Sequence, residues 1–232
     1  MGNNSSKKNE DEKTQTEMFI KKQIFELCIK EFYETGKYQY NIFGKSYIIA
    51  IHNNGPGDNN AIYRLDEFIP PNITHSKPDS GDITYLWGST LPTHSDGNDW
   101  LTRCYQEGVD TIIGDWFYIV INMDTVLNIN TLDDIIEFEN KYAISKMDDK
   151  TGKITKWKIN WKDVAKQYPG GISIMVDIEN FAAKWYYGWD VDSIVIWNNI
   201  PVEFIQKVNS VERSKILKYL DDNYEKIYEF DI

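Results

Sequence analysis

Six apolar residues in a row, Trp116-Phe117-Tyr118-Ile119-Val120-Ile121, constrain the fold more than any other segment of the chain. Successive side chains of a strand point to opposite faces of its sheet, so a strand with no polar position is covered on both. Each of these residues is aromatic or β-branched, the types that suit a pleated, packed surface. The segment predicts a strand central in its sheet.

Shorter apolar runs predict further strands at 47–51, 61–65, 83–87, 172–176 and 193–197. The first two flank a loop rich in Asn, Gly and Pro, and read as a hairpin with a long connection. Helical spacing of Ile20, Ile24, Leu27, Cys28 and Phe32 predicts a helix over 16–35, with Thr14 and Glu17 as capping box and Gly36 as stop. Thr131 with Asp134 opens a helix over 132–141, and Asn160 with Asp163 opens one over 161–168. Further helices are expected at 99–106 and 211–224, and 148–158 reads as an exposed hairpin. Strands and helices mix without the steady alternation of a doubly wound sheet. The expected fold is a single α+β domain over 16–232, its sheet mostly antiparallel or split and flanked by helices, behind a flexible polar leader over 1–15.

That leader begins Met1-Gly2-Asn3-Asn4-Ser5-Ser6-Lys7-Lys8, which fits N-myristoylation of Gly2 once Met1 is removed. Acylation would hold the chain on membrane lipid as a peripheral protein of the cytoplasmic face. One myristoyl chain gives an association constant of only about 10⁴ per molar, so attachment is expected to be reversible or helped by a protein partner. Lys7 and Lys8 add a thin basic patch that Glu10, Asp11 and Glu12 offset. No apolar run is long enough to cross a bilayer. A net charge of −11 argues against direct nucleic-acid binding, which needs a positive footprint. Cys28 and Cys104 are the only cysteines, so no disulfide framework is expected and both read as reduced thiols.

Signatures of common chemistry are missing: the chain has no G-x-x-x-x-G-K-[ST], no H-E-x-x-H, no G-x-S-x-G and no C-x-x-C. His52, His75 and His94 are scattered, and His75 with Asp79 and Asp82 reads as solvated loop rather than a metal site. Two constellations remain. Trp185-Tyr186-Tyr187-Gly188-Trp189-Asp190 gathers four aromatic rings about one glycine. Those rings either fill the core or wall a pocket into which Asp190 or Asp192 points. Tyr63-Arg64 and then Ser89-Thr90 place an arginine and small hydroxyls at strand ends. Arg64 either pairs with Asp66 or Glu67 at the surface or grips a diphosphate, with Ser89 or Thr90 positioning a ribose.

Tyr85-Leu86-Trp87-Gly88-Ser89-Thr90 with Trp100, Ile159-Asn160-Trp161-Lys162-Asp163-Val164-Ala165, and the Trp185 to Asp190 segment with Ile196-Trp197-Asn198 resemble a family of uncharacterised proteins of large DNA viruses and phages. The likeness runs over about residues 62–199 and implies a shared fold without an activity. Tyr63-Arg64 and Ser89-Thr90 also resemble the NAD-holding strands of the ADP-ribosyltransferase superfamily. That resemblance implies NAD as cofactor, bound by Tyr63, Arg64, Ser89 and Thr90, together with a catalytic acid. Glu139 of Glu137-Phe138-Glu139 has the E-x-E form but falls on an expected helix, where the superfamily carries it at a strand or adjoining loop. Asp190 is the alternative acid. Two readings stand level: a membrane-tethered transferase, and a non-catalytic adaptor that presents the aromatic segment to a protein partner.

Overall fold

The computed structural model describes residues 4–35, 39–54, 86–92, 97–109, 114–147, 152, 154–175, 189, 191–198 and 200–225. The strands among them are β1 (Gln39–Ile42), β2 (Lys45–Asn54), β3 (Leu86–Ser89), β4 (Asp115–Asn122), β5 (Val126–Ile129), β6 (Ala143–Met147), β7 (Ile154–Ile159), β8 (Gly171–Ile174), β9 (Ser193–Ile196) and β10 (Val202–Lys207). The helices are α1 (Asn4–Thr35), α2 (Trp100–Gln106), α3 (Leu132–Tyr142), α4 (Trp161–Gln167) and α5 (Ser210–Asn223). The fold is α+β, as the mixed pattern predicts. The main sheet runs β10-β4-β2-β3-β9-β8-β5, with β1 paired to the start of β2. Its pairings are antiparallel except for β5 with β8. β6 and β7 form a separate hairpin, as expected near 148–158.

The six-residue apolar run lies within β4, which is flanked by β2 and β10 and buried on both faces. Capping fixes the helix starts. Thr131 and Asp134 form a reciprocal box at α3, Asn209 and Glu212 form one at α5, and the Asn160 side chain accepts from the Asp163 N–H at α4. The expected strand at 83–87 is placed at 86–89, and the one at 61–65 lies outside the described residues.

Helix α1 departs from expectation in two ways. It begins at Asn4 rather than near residue 16, so most of the stretch read as a flexible leader is drawn as helix. Residues 5–13 contain no Gly, Pro or β-branched residue, and their lysines and glutamates favour helix. Its buried stripe is Ile24, Phe25, Cys28 and Phe32, while Ile20 and Leu27 are each 44% exposed. Phe25, not Ile20, carries the contact, with its ring 4.9 Å from Phe204 on β10.

Chain connectivity forces the sheet to curl. β4 is second and β5 seventh in the strand order, yet only the short 3-10 turn Met123–Thr125 joins them. Five strand spacings in a flat sheet would span about 24 Å. Four Cα steps from Asn122 to Val126 reach at most about 14 Å. The sheet therefore rolls until the β4 and β5 ends meet. Side chains from both ends fill the inner face: Ile48, Ile119, Ile121 and Met123 pack with Val126, Ile194 and Ile196. The described helices lie on the outer face, α1, α2 and α5 over one half and α3 with α4 over the other.

Candidate functional site

Ser89 ends β3, opposite Ile51 on one side and Ser193 on the other. It is buried, and its Oγ donates to the Asp192 carbonyl and accepts from the Trp100 N–H, both at 2.9 Å. Asn98 fastens the same joint: its Nδ2 donates to Asp192 Oδ1 at 2.9 Å and its carbonyl accepts from the Asp192 N–H at 3.0 Å. This hydroxyl is a fastener between β3, the start of α2 and the approach to β9. Next to it, Thr90 is buried, and its Oγ1 has no hydrogen-bond partner among the described residues.

Of the other expected site residues, Glu139 sits on α3, the helix the sequence assigned to it, whose capping Ala143 N–H is taken by the Glu139 carbonyl. Gly2, Tyr63, Arg64 and Asp190 lie outside the described residues, as do His75, Asp79 and Asp82. The structure thus places Ser89, Thr90 and Glu139 without showing the arginine that would accompany them. Among the described residues, no group of three or more His, Cys, Asp and Glu could hold a metal ion.

Trp189 is the one member of the aromatic segment that the structure describes, and it is 2% exposed. Its ring lies 5.1 Å from Trp87 and 6.2 Å from Trp161, which in turn meets Trp197 at 6.4 Å. This part of the motif packs the core between the sheet and α4.

An open groove lies between the edge strand β5 and α3, lined by Leu127, Asn128 and Ile129 on one side and Glu137, Phe138 and Lys141 on the other. The parallel pairing of β5 decides what it offers. The Ile129 carbonyl accepts from Met175 N–H at 3.0 Å, so residues 127 and 129 turn their main chain toward β8. Asn128 therefore turns its N–H and C=O outward, and its buried Oδ1 has no partner among the described residues. Asn130 N–H, next along the edge, is taken by Asp134 Oδ2 at 3.0 Å. Hydrogen bonds from Thr131 and from the Asn130 main chain hold the Asp134 carboxyl below its ordinary value, so it stays charged as part of the cap. Lys141 lays its ammonium 5.0 Å over the Tyr142 ring. An outward donor–acceptor pair beside an apolar wall can seat an extended peptide. The Leu127-Asn128-Ile129 alternation is the sequence signal for this edge, which is not among the strands the sequence predicted.

Among the described residues, no helix is long and apolar enough to cross a membrane. No family model, curated protein or solved structure matches the chain.

Proposed function

We propose that the protein is a reversibly membrane-tethered adaptor: with Met1 as its initiator it is acylated at Gly2, held at the cytosolic face, and presents its α+β domain to a protein partner. The observation that carries this reading is the continuity between the acylation sequence and α1. Gly2 is followed from Asn4 by a helix whose residues 13–20 are all exposed and whose buried apolar packing on the sheet begins at Ile24. This stretch links the acylation site to the domain. At 1.5 Å per residue it spans about 30 Å from Asn4 to Ile24. We assign no transferase step to the domain, because the Ser89 hydroxyl is committed on both sides within the fold.

The test is the intact mass of the protein co-expressed with N-myristoyltransferase, followed by flotation with liposomes and a Gly2→Ala control. A gain of one myristoyl group, absent from the control, and flotation clearly stronger than that of the control is the expected result. Flotation of Gly2→Ala as strong as that of the parent, or no acylation, would overturn the tether.

A further inference from the structure

A single acyl chain binds a bilayer only marginally, so a stable tether needs a second contact. The fold carries a feature suited to it at one end of the sheet. β1 and β2 are joined by a two-residue turn, Phe43-Gly44, between the paired residues Ile42 and Lys45. Both turn residues have positive φ, 52° for Phe43 and 78° for Gly44, which is the type I′ pattern where Asn-Gly is the favoured pair. Phe43 is 84% exposed, so no packing among the described residues repays the strain of a bulky side chain in that conformation. A strained, exposed phenylalanine at a hairpin tip is informative about what lies outside the molecule.

Register places other apolar groups beside it. Tyr47, just after the turn, pairs with Asn122 at the end of β4. Asn122 N–H donates to the Pro201 carbonyl at 2.7 Å, which brings Ile200, 60% exposed, to the same end. Asn122 Nδ2 also meets Glu203, which pairs with Lys21 of α1 at 3.7 Å. Further along α1, Tyr33 meets Tyr118, in the middle of β4. The helix therefore runs from mid-sheet toward the Asn122 end, and everything N-terminal to Lys21 leaves the fold there. That departing stretch includes Met18 and Phe19, both more than 60% exposed, and leads back toward Gly2.

We propose that this end of the sheet, led by Phe43 and Ile200, is a lipid-docking surface that enters the bilayer interface beside the acyl chain. The inference rests on the tether reading for its membrane, but not on acylation for its chemistry. Charge at this end is mixed, with exposed Lys45 beside the turn and exposed Asp124 beside Asn122. The attraction is thus apolar, and binding should respond little to salt.

The experiment places an environment-sensitive dye at Phe43→Cys or, at the opposite end of the sheet, at Lys207→Cys. Cys28 and Cys104 are fully buried, so labelling falls on the introduced thiol. Both proteins are made acylated and as Gly2→Ala, and mixed with millimolar phosphatidylcholine vesicles containing a minor fraction of anionic lipid. Blue-shifted emission and quenching by lipid-borne quenchers are expected at 43, in either form, with none at 207. Unlabelled, acylated Phe43→Asn should bind vesicles about tenfold more weakly, as expected for a partly inserted phenylalanine. Because Asn suits the turn, that loss cannot arise from misfolding. A dye at 43 that stays in water while the acylated protein floats would sink this inference and leave the tether standing. Unchanged affinity of Phe43→Asn would also overturn it, as would self-association through Phe43 in place of vesicle binding. Failure of acylation alone leaves the Gly2→Ala arm to decide.

Discussion

Replacing Gly171 by alanine tests whether the sheet's closure is rigid. Gly171 opens β8 with φ at +148°, and pairs with Val126 of β5 on one side and Ile196 of β9 on the other. A Cβ there would stand 3.1 Å from Ile196 Cα and closer still to the Val195 carbonyl oxygen. Gly44 is the control, with φ at +78° and nothing within 4 Å of its Cβ. Backbone strain costs each alanine about 1–3 kcal/mol. Gly171→Ala adds an overlap worth about 1–3 kcal/mol or more. The struck oxygen belongs to the strand beside β8 and cannot retreat without pulling on the ladder. The expected totals are about 1–3 kcal/mol for Gly44→Ala and about 2–6 kcal/mol for Gly171→Ala. Urea unfolding of the two variants should show midpoints that differ at unchanged slope, and a melting-temperature gap of about 4–8 °C. If the two variants fell within about 1 kcal/mol of each other, the junction would be soft and the argument from a tightly closed sheet would fail.

Further outcomes follow from the same packing and electrostatics. Phe43→Asn should stabilise the fold by about 0.5–1 kcal/mol in urea unfolding, since Asn accepts the turn's positive φ; destabilisation would mean that Phe43 makes a contact in solution. Trp161, fully buried among Phe138, Trp189 and Trp197, should cost about 3–5 kcal/mol on truncation to alanine, and a loss under about 1 kcal/mol would refute its central place. Burial pushes the Cys28 thiol from 9.0 up to about 12, and raises the Tyr118 phenol above 10.0. The unfolded chain then loses these protons first, so stability should be level below about pH 9 and fall as pH rises toward about 12. Tyr118→Phe should flatten that fall, and a parent protein equally stable at about pH 8 and 11 would contradict it.

The parts of the fold that were legible in the sequence are those where one local signal is sufficient. β4 needs no partner to be recognised, because burial on both faces keeps polar residues out of its run from Trp116 to Ile121. α3 and α4 announce themselves through side chains that cap their own first turns, and α5 through the helical spacing of Ile216, Leu217 and Leu220. Elements set by distant contacts were not visible. Phe43 carries no sign of a left-handed turn, so the β1–β2 hairpin was missed. β5 is four residues long and takes its identity from β8, more than forty positions later. Ser89 illustrates the limit for sites: a hydroxyl at a strand end reads the same whether it will hold a ligand or tie down Asp192. Trp189 was ambiguous for a related reason, since a buried and an exposed indole have the same spacing.

The pairing of β3 with β9 has a consequence for the chain as it is made. Ser89 and Ser193 are partners, and about 100 residues must be translated between them. At about 5–20 residues per second the ribosome needs roughly 5–20 s to cover that distance. Throughout that interval β3 has no β9 to pair with. The nascent edge is therefore most exposed to mispairing in those seconds.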